Sequence, residues 1–496
     1  MDAAVRECPR LAVEELPRTI WYMGAKGRVI PGLLDRALAE LVPPGGTVLD
    51  LFSGSGIVSA FCAHRWGVVA NDVQLYSRVI TASLIERPPG GGRAFERTID
   101  VDRDLLPSLE ENRRALAKLY GPAIEMESAL LAEEAPRRRP AARADLAMRL
   151  RDFLLRPGGL HGGAGAGPVG RGNDGNVGGS LNVDPIYGGA AGLIADASIA
   201  RYRQDPRRRP ACLITAYYAN FYYGLRQAID LDSLRAAIDD LPASDPLAER
   251  KRVHYLSALL HAASVTTSGT SHFAQPRQLT KDSEVLAMAN RRRLNVLETF
   301  REFSAAIARH VATTELSPRN RALCGDYRDL LLSSDRENRW KPEAAADAIY
   351  MDPPYTNDHY SRFYHVLETL ARYDYPELER DARGRPTVGR YPVIENRFQS
   401  GFCSPRTVES EFRRVIDASA ASGVPLVISY GSPNGLLLKV YRERFPHIDP
   451  VECLEHLCKE RYKSVKTDRR RLIHSGQGDK NRDTDELLVV GTRPRR

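Results

Sequence analysis

No apolar run in the chain approaches the length needed to cross a bilayer, so a membrane role is not expected. The opening residues, MDAAVRECPR, lack the apolar stretch of a secretory signal. Cysteine is scarce: seven residues spread over 496 positions, without the spacing of a disulfide framework. Together these absences predict a protein of the reducing cytoplasm. Cys453 and Cys458 flank His456, but their spacing fits no common zinc site and a fourth ligand is not evident. No metal is therefore expected, and the two thiols read as buried. No internal repeat is present.

What the sequence does have is positive charge. Its net charge is +8, its pI is near 9.1, and arginine triplets fall at 137–139, 207–209, 291–293 and 469–471. Such a surplus suits a polyanionic partner, because neutralised phosphates release their condensed counterions. Each triplet taken singly also fits a solvated surface or linker.

Ile20 to Ile85 alternates short apolar runs with helical patterns, the mark of a parallel α/β unit. Thr47 to Phe52 reads as a buried strand entering a glycine-rich turn, Ile57 to Arg65 as a helix, and Val68 to Asn71 as the next strand. A second α/β block begins near Ala348. It continues through a helix at Arg362 to Arg372, a strand at Pro425 to Tyr430 and an apolar strand at Glu486 to Val490. Between the blocks the chain changes character. Arg87 to Leu155 is charged and helix-compatible, Leu160 to Leu193 is crowded with glycine, and Cys212 to Ala237, Pro246 to Ala263 and Ser283 to His310 also read as helices. The expected layout is a catalytic domain in two parts, 1–85 and 316–496. A mainly helical insertion at 86–315 separates them and carries a glycine-rich loop at 160–193.

The first motif with chemical content is Asp50-Leu51-Phe52-Ser53-Gly54-Ser55-Gly56, at a strand-to-helix turn. Glycines there let the backbone approach a cofactor, and the following helix offers unpaired N–H donors. It is not the GxGxxG dinucleotide pattern. Asp72, at the end of the next strand, can accept hydrogen bonds from ribose hydroxyls, although such an acid also serves as a turn or helix cap. The second motif is Asp352-Pro353-Pro354-Tyr355, preceded by Ala348-Ile349-Tyr350-Met351. An exocyclic amine on an aromatic base is a poor nucleophile, because its lone pair is delocalised into the ring. Two acceptors aimed at its hydrogens, the Asp352 carboxylate and the Pro353 carbonyl, favour a tetrahedral nitrogen with a localised lone pair. The prolines stiffen the loop and remove competing donors, and Tyr355 offers a face to an extruded base.

With these residues in place, Trp21-Tyr22-Met23-Gly24-Ala25-Lys26 resembles the N-terminal motif of the Dam-like, alpha-group adenine DNA methyltransferases. The resemblance implies an α/β, Rossmann-like fold that uses S-adenosylmethionine. In it Trp21, Tyr22, Gly24 and Lys26 would embrace the methionine part of the cofactor, with Lys26 on its carboxylate. It further implies that Asp50, Phe52, Ser53, Gly54 and Gly56 form the main cofactor loop, and that Asp72 is the ribose-binding acid. Leu323-Cys324-Gly325-Asp326-Tyr327 is similar to the family segment near the cofactor adenine, which assigns cofactor contacts to Asp326 and Tyr327. The central insertion lacks the usual hairpin and helical target-recognition pattern of that family's housekeeping enzymes.

Weaker signals suggest where nucleic acid could lie. Tyr222, with Arg226 and Gln227, sits in the aromatic stretch Ala216 to Asp230, which could equally be a helix core. His272 lies in a Thr/Ser/Gly-rich loop, and His359, Tyr360 and Arg362 follow the catalytic loop. Lys463 to Arg471, with Lys480 and Arg482, form a basic stretch suited to tracking phosphates. The expected activity is site-specific methylation of adenine in double-stranded DNA, with restriction or defence-system proteins as partners. An RNA adenine methyltransferase and a non-catalytic DNA-binding protein on the same fold are the alternatives.

Overall fold

The computed structural model describes residues 16–22, 26, 30–133, 140–155, 196–269, 272–277, 279–331, 345–382, 384, 386–447, 449–473 and 483–495. The chain forms two compact units. The first comprises Met1–Glu96, Ala306–His359 and Gln399–Arg496, and the second Arg97–Ala305 and Tyr360–Phe398.

The first unit is mixed α/β, built on seven strands: β1 (Thr47–Asp50), β2 (Gly67–Asp72), β3 (Arg321–Cys324), β4 (Ala348–Met351), β5 (Leu426–Ser432), β6 (Tyr462–Ile473) and β7 (Asp483–Pro494). Their order across the sheet is β3-β2-β1-β4-β5-β7-β6. β1 pairs in parallel with β2 on one side and with β4 on the other, and β2–β3 and β4–β5 are also parallel. β7 runs against both β5 and β6. Central parallel strands are covered on both faces, which is why they read as unbroken apolar runs rather than alternating ones. All four residues of β1 and all four of β4 are buried. On one face Leu49, Ile349, Met351, Leu426, Ile428 and Val489 pack with Phe402, Phe412, Leu437 and Leu454, all of them closed to solvent. Each such side chain contributes roughly 1.5–3 kcal/mol of burial. The strand order reverses at β1, and in open α/β sheets the crevice at such a reversal, beyond the carboxyl ends of the strands, is where ligands bind.

The second unit is described by its helices, among them Val101–Ala132, Leu225–Asp239, Ala248–Thr266 and Asp282–Arg292. Leu105, Leu109, Leu116 and Tyr120 recur at helical spacing on Val101–Ala132 and are buried where it packs against Leu225–Asp239. Asp100 caps its N-terminus, accepting the Arg103 amide at 3.0 Å. Asp232 is a buried hub. It accepts the Ile214 amide at 2.9 Å, the Thr215 amide at 2.8 Å and the Thr215 hydroxyl at 2.7 Å, together with the Tyr373 hydroxyl. Removing it strands two amides and two hydroxyls at once. Asp232→Ala is expected to cost about 3–5 kcal/mol, read as a lowered midpoint in denaturant, since breaking a buried charged network is far dearer than losing one surface bond.

Candidate active site

Three acids meet at the carboxyl ends of the central strands. Asp50 is the last residue of β1, Asp72 the last of β2, and Asp352 the first beyond β4. Between β1 and the helix Ile57–Cys62 the chain turns through Gly54 at φ +52° and Gly56 at φ +76°, a left-handed backbone that favours glycine. Space also demands glycine there. A Cβ on Gly54 would lie 2.8 Å from the Tyr22 ring, and one on Gly56 would lie 2.9 Å from Thr81 Oγ1. The turn is fastened from β2 and from the helix Leu75–Ile85. The Gly54 amide donates to Asp72 Oδ2 at 2.9 Å, Ser77 Oγ donates to the Gly54 carbonyl at 2.6 Å, and the Ser53 amide donates to Asn71 O at 2.9 Å. The other Asp72 oxygen accepts the Gln74 amide at 2.9 Å. Burial nevertheless raises the Asp72 pKa.

Asp50 is 1% exposed. Its Oδ2 accepts the Ser59 hydroxyl at 2.5 Å, while its Oδ1 has no hydrogen-bond partner among the described residues. Burial pushes its pKa up to about 7 despite the Ser59 bond. A buried acceptor of this kind beside a glycine turn suits a ligand that carries N–H or O–H donors.

Asp352 lies within 3.0 Å of Lys26 Nζ. The contact is made by Asp352 Oδ1, which is closed to solvent and has the Lys26 ammonium as its charge partner. Burial is the largest influence on Asp352 and pushes it up to about 7. Lys26 pulls it down, and Glu486 and Asp50 push it up. The Lys26 ammonium donates to Glu486 Oε1 at 2.6 Å and lies 5.3 Å from the centre of the Tyr355 ring. It is held charged because Asp352 and Glu486 outweigh the burial that would lower its pKa. Tyr355 meets Tyr430 edge-on with centroids 6.1 Å apart, and its carbonyl accepts the Leu436 amide at 2.8 Å. Burial pushes the Tyr355 phenol up to about 12. Pro353 is buried and Pro354 half-buried.

The first unit thus gathers Tyr22, Lys26, Asp50, Ser53, Gly54, Gly56, Asp72 and Asp352 to Tyr355 around one strand-order reversal. Trp21 is 57% exposed, and Gly24 lies outside the described residues. Phe52 turns to a ring cluster, 5.4 Å from Tyr327 and 5.3 Å from Phe402. Tyr327 is buried there, with its hydroxyl bonded to Glu411. Asp326 accepts the Arg328 amide at 3.0 Å at the start of the helix Tyr327–Leu331. Glu486 and Ser429 were not among the sequence candidates. They reach the site only because β7 pairs with β5.

Of the residues expected to face nucleic acid, Tyr222 and Gln227 are inside the second unit. The Tyr222 hydroxyl donates to Phe273 O at 2.9 Å and Gly389 O at 3.0 Å. The Gln227 amide donates to Arg291 O at 2.9 Å and Leu294 O at 3.0 Å. Both therefore satisfy buried backbone rather than offering a surface. Arg226 is exposed, and His272 is half-buried, edge-on to Phe363 at 4.8 Å. Tyr360 packs at 6.0 Å from Tyr364, and the exposed Arg362 lies over the Tyr391 ring at 4.6 Å. His359 is half-buried in the first unit. In that unit the charged stretch after Arg461 is strand β6, at the margin of the sheet, with Lys463, Lys466, Arg469 and Arg470 exposed. Lys480 and Arg482 lie outside the described residues. Cys453 and Cys458 are buried in the helix Pro450–Lys459, while His456 is exposed.

Comparison with known proteins matches residues 222–387, a stretch containing Asp352 to Tyr355, to the family described as D12 class N6 adenine-specific DNA methyltransferase. The chain is 38% identical over 93 residues to the type II methyltransferase M.FokI of Planomicrobium okeanokoites, covering 19% of this chain and 13% of that protein. It is 58% identical over 41 residues to the modification methylase LlaI of Lactococcus lactis subsp. lactis, covering 8% of this chain and 7% of that protein. No helix among the described residues is long and apolar enough to cross a membrane.

Proposed function

We propose that the chain is an S-adenosylmethionine-dependent DNA methyltransferase acting on the exocyclic amino group of adenine. Asp352 carries the reading: a carboxylate paired with the buried Lys26 ammonium, on a proline-stiffened turn at the strand-order reversal. The family match across that turn and the names of the similar proteins support the same chemistry. The strand order and the reversed β7 support a Rossmann-like methyltransferase domain. The helices within 86–315 support an insertion devoted to target recognition.

The residues present fit the cofactor. Asp50 Oδ1 is a buried acceptor lacking a donor among the described residues, and Asp72 is anchored to the same glycine turn. Bound there, the cofactor supplies a methyl group on a sulfonium sulfur that departs as a neutral thioether. The chain's own part is positioning and charge. The Asp352 carboxylate and the Pro353 carbonyl accept the two amino hydrogens of an extruded adenine, and Tyr355 offers it a face. On taking the methyl group the amine would shed one proton, and Asp352 would be placed to receive it. In-line approach then depends on alignment. No covalent enzyme intermediate is required, so the cysteines take no part.

Lys466, Arg469 and Arg470 on β6 are suited to the phosphate backbone of a duplex. Arg470 stands opposite Glu486 in the β6–β7 ladder, at the same end of the sheet as the three acids. Replacing Arg469 and Arg470 with alanine is expected to weaken DNA binding alike for all sequences. Each lost phosphate contact should flatten the plot of log affinity against log salt by roughly 0.9. An unchanged slope would remove β6 from the interface.

The deciding test offers labelled S-adenosylmethionine with duplex DNA and with total RNA, followed by nucleoside analysis. N6-methyladenine in DNA bears out the reading, and a companion endonuclease then becomes the partner to seek. Label confined to RNA, or no label, overturns it.

A further inference from the structure

Beside Asp352 lies a buried carboxylate that the mechanism above does not use. Glu486, on β7, is 4% exposed and accepts two short hydrogen bonds on one oxygen, from Lys26 Nζ at 2.6 Å and from Ser429 Oγ on β5 at 2.6 Å. Lys26 itself is 3% exposed. One ammonium therefore serves two carboxylates, and its hydrogen bond goes to the one that cannot meet the base. Asp352 receives the charge through Oδ1, which lies 3.0 Å from the ammonium and is closed to solvent, so the rest of its carboxylate is what remains for the base. An acceptor locked to Lys26 would be ionised but occupied, whereas an acceptor without Lys26 would be open but largely protonated in so buried a place.

We propose that Glu486 is a positioning residue: it holds the Lys26 ammonium on the Oδ1 side of Asp352, so that Lys26 lends Asp352 its charge while the other carboxylate oxygen is left to the amino group of the base. The inference rests on the methyl-transfer reading above. Among the described residues, the groups that face Asp352 are few. Lys26 approaches from the N-terminal segment, Asp50 from β1 and Glu486 from β7, with the phenol of Tyr350 from β4 and that of Tyr355 on its own turn. Of these, Lys26 alone stabilises the carboxylate by charge, and Glu486 and Asp50 both oppose it.

The sign of the test follows. In Glu486→Gln the opposing charge is gone and Lys26 is released toward Asp352, so Asp352 becomes more acidic and more fully engaged. The acid limb of the kcat profile should move to lower pH by roughly one unit, as expected for one charge removed from a buried neighbour. The alkaline plateau should fall about tenfold, as the transition state loses part of one preorganised contact. Lys26→Met should move the limb the opposite way. A purely structural defect would lower activity without moving the limb in opposite senses. Ser429→Ala, which keeps Glu486 but loosens it, should show a smaller shift in the direction of Glu486→Gln, and it decides the matter if that variant does not fold.

The same shifts should appear in cofactor-free protein as the infrared titration of the Asp352 carboxyl, assigned by its loss in Asp352→Asn. A Glu486→Gln titration that stays in place or moves to higher pH overturns the proposal. Absence of methyl transfer by the unmodified protein would overturn the parent reading instead, and the infrared titration keeps the two failures apart.

Discussion

Asp352→Ala is expected to reduce methyl transfer to duplex DNA by on the order of 10³-fold, the cost typical of deleting one preorganised group that meets developing charge. The affinity for S-adenosylmethionine should stay within about threefold, because the alanine removes no part of the Gly54–Gly56 turn. The fold has a reason to survive. Lys26 keeps its 2.6 Å bond to Glu486, so the substitution leaves no buried ammonium unpaired. In the unmodified protein the same residue should impose an acid limb near pH 7. The carboxylate is the working form, burial holds its pKa at about 7, and activity should rise as pH passes upward through that value. Measured kcat and calorimetric cofactor binding across pH 5.5–9 check both statements. Near-normal kcat in Asp352→Ala would dissolve the catalytic assignment.

The second large effect is two-sided and concerns Asp50. Its carboxyl binds a proton more tightly in the folded chain, at about 7, than an unfolded aspartate does near 4. A group raised in this way favours the fold at low pH, and that contribution is lost as pH climbs from about 4 to about 7. At pH 8 the ionised Asp50 is therefore a burden on stability. Asp50→Asn removes the charge and keeps an oxygen for the Ser59 hydroxyl, so its thermal midpoint at pH 8 should rise by a few degrees. It should also lose cofactor affinity at least tenfold, because the buried Oδ1 acceptor becomes a donor and meets the cofactor's own donors unfavourably. Scanning calorimetry with and without S-adenosylmethionine reads both sides. A variant less stable than the parent, or one still shifted normally by the cofactor, would count against the role given to Asp50.

The central strands could be found from sequence because parallel strands buried on both faces leave compact apolar runs. The first four residues of Thr47 to Phe52 became β1, Val68 to Asn71 became the middle of β2, and Ala348 to Met351 became β4. The acids followed directly, since each stands at the end of such a run. β6 was hidden for the converse reason. At the margin of a sheet a strand has one unpaired side and carries charge, and Lys463 to Arg471 reads as a solvated basic stretch rather than as a strand. Glu486 was recognisable as part of an apolar strand but not as a member of the site. Its neighbours Ser429 and Lys26 are 57 and 460 positions away, and it is the β5–β7 ladder that brings Ser429 beside it. In the second unit the tyrosines were visible and their duty was not. An aromatic cluster carries no mark of whether its hydroxyls will face bases or, as with Tyr222, the carbonyls of Phe273 and Gly389.

The pairing of Asp72 with Cys324 across β2 and β3 sets a timetable for synthesis. A ribosome adding roughly 5–20 residues per second makes β1 and β2 wait on the order of ten to fifty seconds for β3 and β4 to emerge. During that interval two strands that end almost wholly buried have each other and no further strand partner. Arg97–Ala305 waits as well, because Tyr360–Phe398, which completes its unit and brings Tyr373 to Asp232, is made later still. Nascent chains halted before residue 321 should therefore be the form of this protein most in need of chaperones.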